Sequence, residues 1–155
     1  MNTHAPSRRR LLQAAAGAAA AVLVRPAAAQ ADGELAAAVA QFAGGQAPRA
    51  GRVKIDVAKL VDNGNVVPLR VTVDSPMTAG EHVTEIAVFN EKNPQREVAQ
   101  FKLGPKAGKA DVSTRIRLAT SQKLVAVAKM NDGSVWSETV DVIVVLAARI
   151  EGEAS

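Results

Sequence analysis

Apolar and polar residues alternate with a period of two over most of this chain, the signature of half-buried β-strands. Val53, Ile55 and Val57 are separated by Lys54 and Asp56, and this run predicts a first strand. In the second, Val67, Leu69, Val71 and Val73 point one way, while Pro68, Arg70, Thr72 and Asp74 point the other. Asn63-Gly64 immediately before it offers the positive φ angles of a tight reversal, so the strand is expected to follow a hairpin-type turn. Ser75-Pro76 to Gly80 breaks this strand, Val83 to Phe89 forms a third, and Asn90 to Pro94 carries loop chemistry. Val98 to Leu103, stopped by Gly104-Pro105, is a short fourth strand. Val112, Thr114, Ile116 and Leu118 alternate with Ser113, Arg115 and Arg117 in a fifth, leaving a wet, basic face. Leu124 to Met130 is apolar at almost every position and reads as a central strand buried on both faces. Asn131-Asp132-Gly133 then turns the chain into a long last strand, Val135 to Leu146.

Ahead of these strands, Gln30 to Gly44 places Leu35, Val39 and Phe42 near helical spacing, with Asp32 as the expected N-cap and Gly44-Gly45 as the stop. Ala47 to Gly51 reads as a linker. About seven strands at short spacing with no long helix between them predict an all-β, immunoglobulin-like sandwich with a short N-terminal helix.

The first residues follow a different logic. Ser7-Arg8-Arg9-Arg10-Leu11-Leu12-Gln13 leads into an alanine-rich apolar run ending near Val24, and Ala27-Ala28-Ala29 supplies small residues for cleavage. This pattern predicts a twin-arginine signal peptide over 1–29, with Arg8 and Arg9 as its recognition pair, and a periplasmic product. The run is shorter than the ~20 residues of a spanning helix, so no membrane association is expected after cleavage. The expected organisation is then helix and linker over 30–50, the sandwich over 51–146 and a tail over 147–155.

Removing the signal changes the charge argument. The whole sequence has 19 Lys and Arg against 15 Asp and Glu, and Arg8, Arg9, Arg10 and Arg25 all lie in the signal, leaving 15 of each sign. A neutral mature chain gives no electrostatic case for nucleic acid or an anionic membrane.

The candidate chemistry is sparse. There is no cysteine, and His82 is the single histidine after the signal, so neither a histidine-rich nor a thiolate metal site can be assembled. Asp74, Ser75 and His82 do not form a nucleophile-elbow motif and flank a Ser-Pro turn, so a hydrolytic triad is not expected. Trp136 is read as packing rather than as a ligand platform. Arg115 and Arg117 share a face that suits either an anion, such as a partner's carboxylates, or plain solvation, and solvation is the simpler reading. Val140, Val142, Val144 and Leu146 extend an apolar edge and are the candidate partner interface.

Four stretches together resemble the SoxY family, the sulfur-carrier subunits of periplasmic thiosulfate oxidation: Asp62 to Met77, Ala99 to Phe101, Gly108 to Leu118 and Met130 to Trp136. The resemblance implies an immunoglobulin-like fold, no catalytic site or cofactor, and a heterodimer with SoxZ. It also implies encounters with a haem c conjugating enzyme, the SoxB hydrolase and a sulfane dehydrogenase. In that family the substrate rides on a cysteine in a terminal Gly-Gly-Cys-Gly-Gly arm. Here the corresponding stretch reads Val144-Val145-Leu146-Ala147-Ala148-Arg149-Ile150-Glu151-Gly152-Glu153-Ala154-Ser155. A thiolate can form and release a bond to sulfur, and a serine hydroxyl cannot. The expectation is a SoxY-type subunit inactive as a carrier, either through a frameshifted end or as an armless structural or binding paralogue; an unrelated periplasmic immunoglobulin-like binding module is the alternative.

Overall fold

The computed structural model describes residues 27–145, and these form a helix laid on a two-sheet sandwich. The helix α1, Ala27–Phe42, is followed by nine strands: β1 Arg49–Ala50, β2 Val53–Asp56, β3 Leu60–Val61, β4 Val67–Val73, β5 Val83–Asn90, β6 Glu97–Lys102, β7 Asp111–Ile116, β8 Gln122–Met130 and β9 Val135–Val144. The larger sheet runs β1-β9-β8-β5-β6, with β3 also on the outer edge of β9, and the smaller runs β2-β4-β7.

The period-two alternation places one face of each sheet in a common core. Val53 and Ile55 of β2 and Val67, Leu69, Val71 and Val73 of β4 meet Ile86 and Val88 of β5 and Leu124, Ala126 and Ala128 of β8. Burying such aliphatic side chains is the main stabilising contribution, roughly 1.5–3 kcal/mol for each complete burial. β8 is apolar from Leu124 to Ala128 because its other face is covered too. Val125 and Val127 join Ala87, Phe89 and Val135 beneath Leu35 and Ala43 of the helix layer, with Val39 and Phe42 packed alongside.

α1 begins three residues before the expected start, since alanine is the strongest helix former and the stretch Ala27 to Gln30 propagates it. Asp32 is therefore not an N-cap. It lies in the second turn and accepts a hydrogen bond from Lys123 Nζ at 3.0 Å, pinning the helix to β8. The stop is as expected: Gly44 and Gly45 have φ of 68° and 85°, and the Gly45 amide donates to the Ala40 carbonyl at 2.9 Å.

The reading of Asn63-Gly64 as a hairpin turn needs correction. β4 pairs antiparallel with β2 and β7, and β3 intervenes to pair with β9 of the other sheet. Gly64 is not among the residues with positive φ. Its requirement is space, because a Cβ there would stand 2.2 Å from the backbone oxygen of Leu118. The stretch read as a linker also holds β1, which pairs parallel with β9 through Arg49 and Trp136. Gly51 (φ 112°) and Arg52 (φ 57°) then carry the chain from one sheet to the other. Residues 1–26 of the expected signal peptide 1–29, including Arg8 and Arg9, and residues 146–155, with Leu146 and the expected tail, lie outside the described residues.

Candidate functional site

The end of β9 is where a terminal arm would leave the domain, and it is held on both edges. On one side Val142 pairs with Gln122 of β8, and the Val144 amide donates to Ser121 Oγ at 2.9 Å. On the other, the amides of Ile143 and Val145 donate to the carbonyls of Lys59 and Val61, each at 2.8 Å. Beneath them the Leu118 amide donates to the Gly64 carbonyl at 2.7 Å, and the Leu118 carbonyl oxygen leaves no room for a side chain at Gly64. A hollow of about 260 Å3 opens beside the exit, lined by Asp62, Asn65, Arg117, Leu118, Val144 and Val145.

A polar weld makes this end rigid. Asn93 Oδ1 accepts from the Ala119 amide and from Gln122 Nε2, and Asn93 Nδ2 donates to the Arg117 carbonyl at 2.7 Å. Gln122 Oε1 in turn accepts from the Lys92 amide, and buried Glu91 accepts from the Lys123 amide, both at 2.9 Å. Glu91 is 7% exposed and Gln122 4%, yet among the described residues no buried side-chain polar atom lacks a partner. A satisfied buried network of this kind fixes one geometry, because each broken bond would strand a desolvated group.

The alternation along β9 overturns part of the expected interface. Val142 is 1% exposed and faces the core between the sheets, with Val140 and Val144 half-buried against the same core. Even-numbered positions of β9 point inward, so the uncovered apolar surface lies on the odd ones. Ile143 (55% exposed) and Val145 (41%) follow polar Thr139 and Asp141 on that outer face. Leu60, paired with Ile143 across β3, is 60% exposed beside them. The sequence signal for this strip was the break in polar-out alternation at Ile143.

The remaining candidates resolve individually. Trp136 packs against the inter-sheet core, with the guanidinium of Arg52 5.1 Å and that of Arg49 5.7 Å from its ring centroid, and Nε1 donates to Ser134 Oγ. Ser75 Oγ accepts from the Met77 amide, while His82 Nδ1 lies 3.0 Å from the Thr78 carbonyl, so the structure brings no Ser-His pair together. No group of three His, Cys, Asp or Glu side chains suited to a metal occurs among the described residues. On the outer face of the small sheet, Arg70 forks onto Asp111, and this hydrogen bonding holds the Asp111 carboxyl below its ordinary range. Arg115 and Arg117 are both exposed.

The family model described as sulfur oxidation protein SoxY matches residues 38–148. Among solved structures, the sulfur carrier protein SoxY from Chlorobium limicola f thiosulfatophilum is 26% identical, with a TM-score of 0.64 over 75% of this chain and 96% of that one. A superoxide reductase (neelaredoxin) from Ignicoccus hospitalis is 21% identical, with a TM-score of 0.55 over 61% of this chain and 81% of that one. A putative superoxide reductase from Thermotoga maritima is 22% identical, with a TM-score of 0.53 over 67% and 90%. The likeness to the two reductases is one of fold alone. No curated protein sequence matches the chain. The family match spans the last five residues of α1 and every strand of the sandwich, and the chain belongs to the SoxY family of sulfur oxidation proteins.

Proposed function

We propose that this chain is a SoxY-type subunit of a periplasmic sulfur-oxidation complex that pairs with a SoxZ-type subunit and, within these 155 residues, has no thiol with which to carry substrate. The observation that carries the proposal is the exit of β9, an arm platform fixed as far as Val145, in a sequence without cysteine. The exposed strip of Leu60, Ile143 and Val145 beside that exit is the surface assigned to SoxZ, since contiguous apolar side chains on an otherwise polar sheet face mark a partner site. The subunit acts as a structural or binding partner and not as a catalyst. The haem c conjugating enzyme, the SoxB hydrolase and the sulfane dehydrogenase are its further partners by family membership. Twin-arginine export places it in the periplasm.

Co-expression with a SoxZ-type subunit, followed by size-exclusion chromatography with light scattering, tests the pairing. A heterodimer is expected, and a stable monomer in the presence of SoxZ would overturn it. The chemistry is tested by intact-mass spectrometry after incubation with thiosulfate and the haem c conjugating enzyme. The chain should gain no adduct, because methionine thioethers form no persulfide. A variant with Ile-Gly-Gly-Cys-Gly-Gly after Val145 should gain one if the end is a frameshift of a working carrier. No adduct on that variant points to an armless paralogue.

A further inference from the structure

β6 and β7 are the terminal strands of their sheets and face each other across one open side of the sandwich. Terminal strands keep unpaired backbone groups along their outer edges. Between them runs a groove of about 430 Å3 at the end nearer the β5–β6 loop, with Val98 and Ile116 as its floor and Arg115 and Arg117 on its rim. The floor is continuous with half-buried Phe101 and Val112, which pack against the core from the same side.

The charge along this margin is mostly positive. From Glu97 to Arg117 the chain carries Lys102, Lys106, Lys109, Arg115 and Arg117 against only Glu97 and Asp111. Asp111 is taken by Arg70, and Glu97 lines a separate hollow under α1 with Phe42 and Arg96. Among the described residues neither Arg115 nor Arg117 has an acidic partner, although Asp62 lines the hollow on the far side of Arg117. Arg96, near the groove mouth, is occupied by Glu34 and by the Glu91 and Asn93 carbonyls. Two cations without an acidic partner among the described residues, Arg115 and Arg117, therefore edge an apolar slot between two open strands.

We infer that this groove is a docking site for an extended, acidic segment of a partner protein, which lays apolar side chains on Val98 and Ile116 and its carboxylates on Arg115 and Arg117. Edge strands supply main-chain hydrogen bonds to such a segment, and guanidinium groups take carboxylates in forked geometry. A nucleic acid fits less well, because the slot offers an aliphatic floor and none of its lining residues is aromatic, so it gives bases nothing to stack on. This surface meets the Leu60, Ile143 and Val145 strip only at Arg117, which also lines the hollow at the β9 exit, and the inference does not rest on pairing with SoxZ.

The test is fluorescence anisotropy of the full chain with a labelled six-residue peptide of alternating Glu and Val. Saturable binding that weakens as salt rises is expected. Arg115→Glu with Arg117→Glu should weaken it by about tenfold or more, whereas Lys54→Glu, on the outer face of β2, should change it by less than roughly twofold. Should the charge reversals lower the melting temperature, Arg115→Gln with Arg117→Gln gives the same reading without added acids. Equal binding of a matched six-residue peptide of alternating Gln and Val, equal weakening by Lys54→Glu, or binding of an oligothymidine but not of the Glu-Val peptide would each overturn the proposal. So would the absence of saturable peptide binding at low salt.

Discussion

Replacing Gly64 by alanine adds a single methyl group, and the structure says why that should be costly. The new Cβ would stand 2.2 Å from the Leu118 backbone oxygen and 3.1 Å from Val144 Cγ1. The first neighbour is main chain, and the Leu118 amide's hydrogen bond to the Gly64 carbonyl holds that residue in place, so no side-chain rotation relieves the clash. Overpacking of a closed site costs about 1–3 kcal/mol, and loss of the hydrogen bond about 1 kcal/mol more, for a total of ~2–4 kcal/mol. At about 4 °C per kcal/mol for a domain of this size, the melting temperature should fall by roughly 8–16 °C. Gly133→Ala is the matched control. Gly133 has φ 85°, and a Cβ added there would meet nothing within 4 Å, so only backbone strain of ~1 kcal/mol applies and the fall should be about 4 °C. Differential scanning fluorimetry and urea unfolding of both variants measure the contrast. A Gly64→Ala protein as stable as Gly133→Ala would refute the argument from close approach.

Val142→Asp places an unpaired carboxylate in the core and should destabilise by on the order of 4 kcal/mol, whereas Ile143→Asp, on the exposed face, should leave stability within about 0.5 kcal/mol and abolish pairing with SoxZ. Thermal melts and co-purification separate the two, and equal destabilisation would invalidate the assigned faces. Because Arg70 depresses the Asp111 pKa in the fold, that ion pair stabilises above the unfolded carboxylate pKa and is lost as pH falls through the lower, folded value. The stability deficit of Asp111→Asn should therefore be present at neutral pH and fade in strong acid; a deficit constant with pH would contradict this. Changing Arg8 and Arg9 together to Lys should block export, as a receptor reads the pair rather than its charge. Normal periplasmic accumulation of that variant would assign another route.

The strands long enough to show several alternations were legible from residue types alone. β4 and β8 are the clearest, since Val67 to Val73 declares one buried face and Leu124 to Met130 two. β1 and β3 were not legible, because two residues contain no period and their pairing depends on β9, about 85 residues away in the chain. The Asn63-Gly64 dipeptide misled for a related reason. Glycine there answers to the backbone of Leu118, a neighbour brought in by tertiary structure, rather than to a local turn. At the chain exit, the apolar character of β9 was evident from sequence, yet the face left open was not. Three inward valines dominate the pattern, and only the helix layer and the smaller sheet decide which side of the strand each one sees.

The two-sided clamp on the last residues of β9 has a mechanical meaning. A pull along the axis of β9 at Val145 runs nearly at right angles to the antiparallel hydrogen bonds joining β9 and β8, and across the slanted bonds from Ile143 and Val145 to the parallel β3 segment. In that direction the bonds bear load side by side instead of opening one after another like a zipper. Tension on the terminus is thus shared across the sheet, and the end of β9 resists being peeled away from its neighbours.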